Sequence, residues 1–366
     1  MLSPGFHNRM LPALLLTGLA LSLPIAVMAE SDVPRTATGR PDLSGSYNAA
    51  TLTPLERPAV YGDKLFMTRA EAEKIAADQA AFLDNALRDT DPNREAPPVG
   101  GAPVVGFEED RAAGEALGAG NVGGYNWFWV DPGSDGFEID GRFRTSIITD
   151  PKNGRIPPMT EEAREARAKR FAGFRRSNDG TAWWLETEGP GPYDDIEVRS
   201  TSERCILGFT GTAPTFPSLY NNYKTIVQTE DYVMILIEMV HDARIVRMNS
   251  EHAPPSVRKW LGDSIGWWED DTLVVDTTNF HPKAGTRGAA ENLHVVERFS
   301  RLENGSVLYN FTVEDDTTWT VAWSGEYVWQ ASDDKLYEYA CHEGNYAMGN
   351  IMRGARLLEQ EALKAK

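Results

Sequence analysis

The sequence predicts a mainly β protein: an antiparallel meander that closes into a barrel, with a helical or loop-rich N-terminal region and a C-terminal helix. Three observations predict it. From Tyr223 onward, residues 225–228, 232–239 and 243–248 are apolar and rich in β-branched side chains, bounded by turn-forming residues. Asn304-Gly305 is a strong hairpin signal, because that pair accepts positive φ. A meander of about seven strands or more has two edges to hide, and closure hides both.

The elements follow in order. Residues 1–29 read as a leader: Arg9, an apolar run from Leu11 to Met28 broken at Pro24, and Val27-Met28-Ala29 as a small-x-small cleavage site. Pro12 and Pro24 bracket a stretch too short for the roughly 20 residues that span a bilayer. The expected product is a single β-rich domain over 30–366, in the periplasm or secreted, with no membrane span after cleavage. Within it, 30–222 is irregular or helical, 223–348 is the barrel core and 349–366 is a terminal helix. Residues 68–88 form the clearest helix, opened by a capping box of Thr68 and Glu71, with Ile75, Phe82 and Leu83 as its apolar stripe. Residues 90–125 are Gly/Pro/Ala-rich and read as a loop or lid. A second helix is expected over 161–171, capped by Thr160. Strands are expected at 265–277 (a hairpin turning at Glu269-Asp270-Asp271), 293–302, 307–313, 318–329 and 335–341, and residues 255–261 look helical.

The formal charge of −18 argues against nucleic acid or anionic lipid as a partner, and reads first as solubility. A small-molecule ligand or substrate is the expected partner, and composition says nothing of the oligomeric state. The two cysteines, Cys205 and Cys341, both follow the leader, and disulfides persist outside the cytoplasm. A bridge between them would close a loop worth about 4–5 kcal/mol in the chain-entropy model. Two separate buried thiols remain the other reading.

Motif matches are weak. Gly262-Asp263-Ser264-Ile265-Gly266 fits a nucleophile elbow, and Asp276 and His294 follow in hydrolase order. An elbow needs a strand before the serine and a helix after it, and here the pattern is reversed. Gly118–Gly123 spells G-x-G-x-x-G without the flanking strand and helix. Residues 131–136 resemble a calcium loop whose bidentate acid is replaced by Arg142. His342-Glu343 starts like a zincin helix, but Tyr346 stands where the second histidine belongs. No metal and no organic cofactor is expected.

Several blocks together carry a resemblance. They include Asn126-Trp127-Phe128-Trp129-Val130-Asp131, Arg144-Thr145-Ser146-Ile147-Ile148-Thr149-Asp150-Pro151 and Ile237-Glu238-Met239-Val240-His241-Asp242-Ala243-Arg244. Trp260-Leu261-Gly262-Asp263-Ser264, residues 291–299 and residues 337–346 complete them. Across most of the chain these resemble a large family of exported bacterial proteins. The resemblance implies a lipocalin-like barrel, entered at Gly45-Ser46-Tyr47, and carries no activity with it.

The candidate site consists of polar residues inside apolar strands. Glu238 and His241 lie in 232–248; His294, Glu297 and Arg298 lie in 293–299; His342 and Glu343 follow the last strand. Strands alternate faces, so His294 and Arg298 share one face and Glu297 takes the other. One of these faces points inward, and a buried charge is costly unless paired, so a charged network is expected inside. One reading is a structural Glu–Arg or His–Glu pair that fixes register. The other is a His/carboxylate acid–base site at the barrel mouth, with His294 within reach of His241 or His342. There, His294 or His241 would move the proton, and Glu238, Glu297 or Glu343 would orient the imidazole. Arg144, Arg204 or Arg298 would hold an anionic group. Trp127, Trp129, Tyr339 and Tyr346 would supply an aromatic wall. The favoured function is a lyase, isomerase or hydrolase acting on a small, partly apolar substrate; the alternative is a non-catalytic carrier of apolar ligands.

Overall fold

The computed structural model describes residues 33–87, 93, 127–171, 180–188 and 191–365. The expected leader, the G-x-G-x-x-G run and nearly all of the 90–125 loop lie outside the described residues.

Nine strands close into a barrel. β1 (Gly45–Asn48) pairs with β6 (Tyr223–Gln228), and the ladder continues through β7 (Tyr232–Ile237), β8 (Ala243–Met248), β9 (Asp263–Glu269) and β10 (Thr272–Thr278). β11 (His294–Arg301), β12 (Val307–Glu314) and β13 (Trp323–Ser332) complete the ring, and β13 returns to β1 through Ser46↔Ser332. Short strands β2 (Phe66–Met67), β3 (Glu138–Ile139) and β4 (Arg142–Arg144) form a separate small sheet, and β5 (Ile148–Asp150) adds to β13 beside β1. The mainly β, barrel-forming class read from the sequence is therefore what the chain adopts.

An odd ring cannot be antiparallel at every seam. The exception here is β8–β9, which pair in parallel with Val246 opposite Ser264. A parallel pair needs a connection of a dozen residues or more from one end of the barrel to the other. Residues 249–262 provide it, without the helix expected at 255–261. Residues 335–341, also expected as a strand, are not one; the ring already closes at Ser332.

The strands alternate as a barrel requires. On β12, Val307, Tyr309, Phe311 and Val313 are buried and the residues between them are not fully so. Tyr309 stacks on Trp329 with ring centroids 4.9 Å apart, and Phe299 meets Trp329 edge-on at 5.5 Å. With Tyr47, Tyr327 and Trp323 these rings fill the interior, so the barrel is a packed core and not an open calyx.

Three α-helices among the described residues flank the barrel. α1 (Arg69–Ala86) begins with the expected capping box, in which Thr68 and Glu71 each satisfy the other's backbone N–H. α2 (Glu161–Phe171) is capped by the Thr160 hydroxyl, which accepts from Ala163 N at 3.1 Å. α3 (Tyr346–Lys364) ends the chain. No helix among the described residues is long and apolar enough to cross a membrane.

One end of the barrel is plugged by residues 207–216. Tyr327 Oη donates to the Thr215 carbonyl at 2.9 Å, and Thr215 N donates to Tyr309 Oη at 3.1 Å. Phe216 stacks on Trp323, with centroids 6.2 Å apart. Gly208 N donates to Asp242 in the β7–β8 turn at 2.8 Å. Gly211 lies so close to that carboxylate that a Cβ there would fall 2.1 Å from Asp242 Oδ2. The plug starts just after Cys205, which is disulfide-bonded to Cys341 across a Cα–Cα distance of 5.7 Å.

Candidate functional site

His294 does not meet His241 or His342. It lies on the outer face of β11, where Nε2 is 2.9 Å from Asp276 Oδ2 and Nδ1 is 2.9 Å from Glu314 Oε2. The line continues through a residue the sequence reading passed over. His252, in the 249–262 crossover, places Nε2 2.9 Å from Asp276 Oδ1 and Nδ1 3.2 Å from Asp263 Oδ2. Asp263 is buried and also accepts from Arg247 (2.8 Å), Lys259 (2.6 Å) and the backbone N–H of Ala253 (2.9 Å). Burial would raise both carboxyls. For Asp263, the bonds from Arg247, Lys259, Ala253 N and His252 outweigh it and hold the group well below its ordinary value. For Asp276, the bonds from His294 and His252 do the same more mildly.

The ladder is a chain of hydrogen bonds between imidazoles and carboxylates. The hydrogen bond to Asp276, helped by Glu314, pushes His294 up to about 9, so at neutral pH the ring is an imidazolium donating from both nitrogens. Such a ring has no lone pair with which to accept a proton. What the ladder does is fasten the crossover that the odd strand number demands. This gives a test. A raised basic pKa stabilises fully below the ordinary 6.5 and loses that contribution as pH rises through about 9. Solvent reaches about a third of the ring, so screening leaves on the order of 1 kcal/mol. Urea melts of His294→Gln should show that deficit at pH 6 and little of it at pH 9.5. An equal deficit at both values would refute the ion-pair account.

The serine of the elbow motif is also placed by the barrel. Ser264 points inward and shares a 2.8 Å hydrogen bond with Thr277, whereas Asp276 and His294 lie outside the wall. No triad forms among them.

The interior does hold a charged network, built on Glu297. This carboxylate accepts from both terminal nitrogens of Arg244, one of them at 2.8 Å, and from Tyr309 Oη at 2.7 Å. Both charged side chains are almost completely buried. A Glu–Arg pair of the kind expected is present, with Arg244 as the unforeseen partner. His294 and Arg298 take the outer face, where Arg298 pairs with Glu269 at 2.8 Å. Beside the network, Lys224 is wholly buried, its Nζ has no hydrogen-bond partner among the described residues and it sits 5.7 Å from the Trp329 ring centroid. Desolvation pushes it down to about 7, with Glu238 opposing and Arg244 reinforcing the shift.

The other candidates scatter. Glu238 is buried and accepts from Tyr223 N at 3.2 Å. His241 is exposed in the β7–β8 turn, where it and Val240 both take positive φ. His342 and Glu343 are exposed beyond the disulfide. Arg144 is buried against Glu326, and Arg204 lies 4.0 Å from Glu197. Trp129 and Tyr339 share a groove of about 500 Å³ beside the disulfide, whereas Tyr346 is exposed. The side chain of Trp127 lies outside the described ones. The proposed His/Glu constellation therefore does not assemble, because these residues occupy the outer wall, the interior and the far side of the disulfide.

The chain instead builds a cavity over the plugged mouth. It measures about 880 Å³ and is lined by Met159, α2 (Ala163, Arg167), the plug (Leu207, Phe209, Thr210, Phe216), the 283–288 loop and Thr317-Thr318. That volume falls in the range of small-molecule sites. Thr210 brings a buried hydroxyl that has no hydrogen-bond partner among the described residues. Asp242 lies directly beneath the plug, and desolvation lifts its carboxyl to about 6 against the opposing effects of Gly208 N–H and His241. Comparison with family models, with curated proteins and with solved structures returns no match for this chain.

Proposed function

We propose that the protein binds a small, partly apolar molecule in the cavity over the plugged mouth, as a carrier or binding protein. The observation that carries this reading is the cavity itself, about 880 Å³ with apolar and hydroxyl-bearing walls, at the end of a barrel with no room inside. Small-ligand sites combine an apolar lining with a few placed polar groups, and this cavity has both. This takes up the carrier that the sequence left as the alternative to an acid–base enzyme, with the ligand at the barrel mouth and not in its interior. An exported setting, and kinship with the exported family that the sequence resembles, belong to the same proposal.

A neutral, environment-sensitive probe such as N-phenyl-1-naphthylamine tests it. Saturable fluorescence enhancement is expected with the wild type. Ala163→Trp and Ala284→Trp, which fill the cavity from opposite walls, should each weaken binding at least tenfold without changing the circular dichroism spectrum. Unchanged binding in both variants, or no saturable binding at all, would discard the reading.

Asp242 favours a second reading. A carboxyl lifted to about 6 and bonded to a cavity-lining backbone is suited to acid–base chemistry near neutral pH. Under that reading the bound molecule is a substrate of a lyase, isomerase or hydrolase. Product analysis of any ligand that binds separates the two, since a carrier returns it unchanged.

A further inference from the structure

The cavity is an electropositive spot on an acidic protein. The chain carries a formal charge of −18, yet the cavity wall holds Arg167, Lys283 and Arg287 against the single carboxylate of Glu162. Lys283 is engaged by Glu197 at 2.7 Å. Arg287 is not so engaged: among the described residues no carboxylate lies within ion-pair distance of it and no hydrogen bond holds its guanidinium. It lies against the Phe216 ring, 5.5 Å from the guanidinium carbon to the centroid.

The backbone holds this arginine in place at some cost. Arg287 has φ +49°, between Gly285 at +88° and Gly288 at +106°. A left-handed non-glycine residue costs on the order of 1 kcal/mol and persists only where its surroundings impose it. The loop around it cannot relax freely, because a Cβ on Gly285 would lie 2.0 Å from the Ala289 carbonyl oxygen. Desolvation lowers the Arg287 pKa, with Glu56 opposing and Arg167 adding to the effect. Arg287 is exposed on the cavity wall, near a second cation and, among the described residues, without a carboxylate in ion-pair distance, so its guanidinium is open to an incoming anion.

From this, and resting on the cavity being a ligand site, we infer that the occupant is a small organic carboxylate whose apolar body packs on Phe209 and Phe216 while its carboxylate takes the Arg287 fork. One guanidinium offers one planar pair of donors, which matches a carboxylate.

Calorimetric titration of the full protein with three matched probes tests the inference: 4-phenylbutyrate, 4-phenylbutyramide and 3-phenylpropyl phosphate. The carboxylate is expected to bind at least tenfold tighter than the amide. Arg287→Gln should erase that preference while leaving the amide affinity within twofold, and Arg287→Lys should restore part of it. Equal affinity for carboxylate and amide in the wild type would overturn the carboxylate assignment and leave the cavity reading standing. Tighter binding of the phosphate ester would overturn it as well. Binding of none of the three, together with no probe binding in the fluorescence assay, would remove the cavity reading itself.

Discussion

Replacing Arg244 by methionine while Glu297 stays in place is expected to destabilise the fold by about 3–5 kcal/mol, because it strands a carboxylate in the packed interior. Glu297 is completely buried and takes both arms of Arg244 and the Tyr309 hydroxyl, so its charge is satisfied only by groups inside the barrel. The Glu297→Leu, Arg244→Met double variant should recover most of the loss. Taking two charges out of water costs about what their attraction returns, so an apolar pair of similar volume comes out near neutral. Tyr309 would then lack its acceptor, which leaves about 1 kcal/mol unrecovered. A double-mutant cycle by chemical denaturation measures all three values. A loss below 1 kcal/mol for Arg244→Met would mean that the pair is hydrated and that the interior is not the dry core described above.

The barrel was legible because its signals are local. Val307, Tyr309, Phe311 and Val313 alternate with less buried residues, Thr68 and Glu71 form a capping box, and Asn304-Gly305 turns β11 into β12. The inward parity of Glu297 was likewise open to alternation, and so was that of two residues left unconsidered. Arg244 shares a face with Val246, and Lys224 shares one with Ile226. Both could have been found by applying to β6 and β8 the face count applied to β11. His252 could not. It lies in a segment with no periodicity, and it reaches Asp276 only because β8 and β9 run parallel and force that segment across the outer wall. Nothing in residues 249–262 announces the parallel seam; it follows from the number of strands in the whole ring.

The same reasoning explains why the proposed site lies elsewhere than expected. Histidines in strands suggested a mobile proton, but a strand histidine flanked by Asp276 and Glu314 is fixed as a cation. Arg287 carried no such signal. Its interest comes from the lack of an ion-pair partner among the described residues and from a left-handed backbone, both of which are properties of the folded loop.

Lys224→Met is expected to stabilise the protein, by on the order of 3–5 kcal/mol at pH 6–7, an unusual direction for a core substitution. The amine is fully buried without a hydrogen bond, and its contact with Trp329 is 5.7 Å from nitrogen to ring centroid. A desolvated cation–π contact returns about 2 kcal/mol, less than the several kcal/mol that burying an ammonium costs. The sign with pH follows from the shift. The ordinary value is 10.5 and the folded value is about 7. Below pH 7 both states carry the proton, and the fold bears the whole penalty. Between pH 7 and 10.5 the unfolded chain still holds a proton that the folded one has released, so the penalty shrinks as pH rises; above 10.5 it is gone. Buried Tyr47, lifted to about 12, bends the absolute curve the other way at high pH, as unfolded tyrosines ionise first. The difference between wild type and variant cancels that effect. Denaturant midpoints measured in parallel from pH 6 to 10.5 should therefore show a gain for Lys224→Met that is largest at the acid end and fades toward the alkaline end. A variant less stable than the wild type at pH 7 would show that the ammonium has a partner inside the barrel.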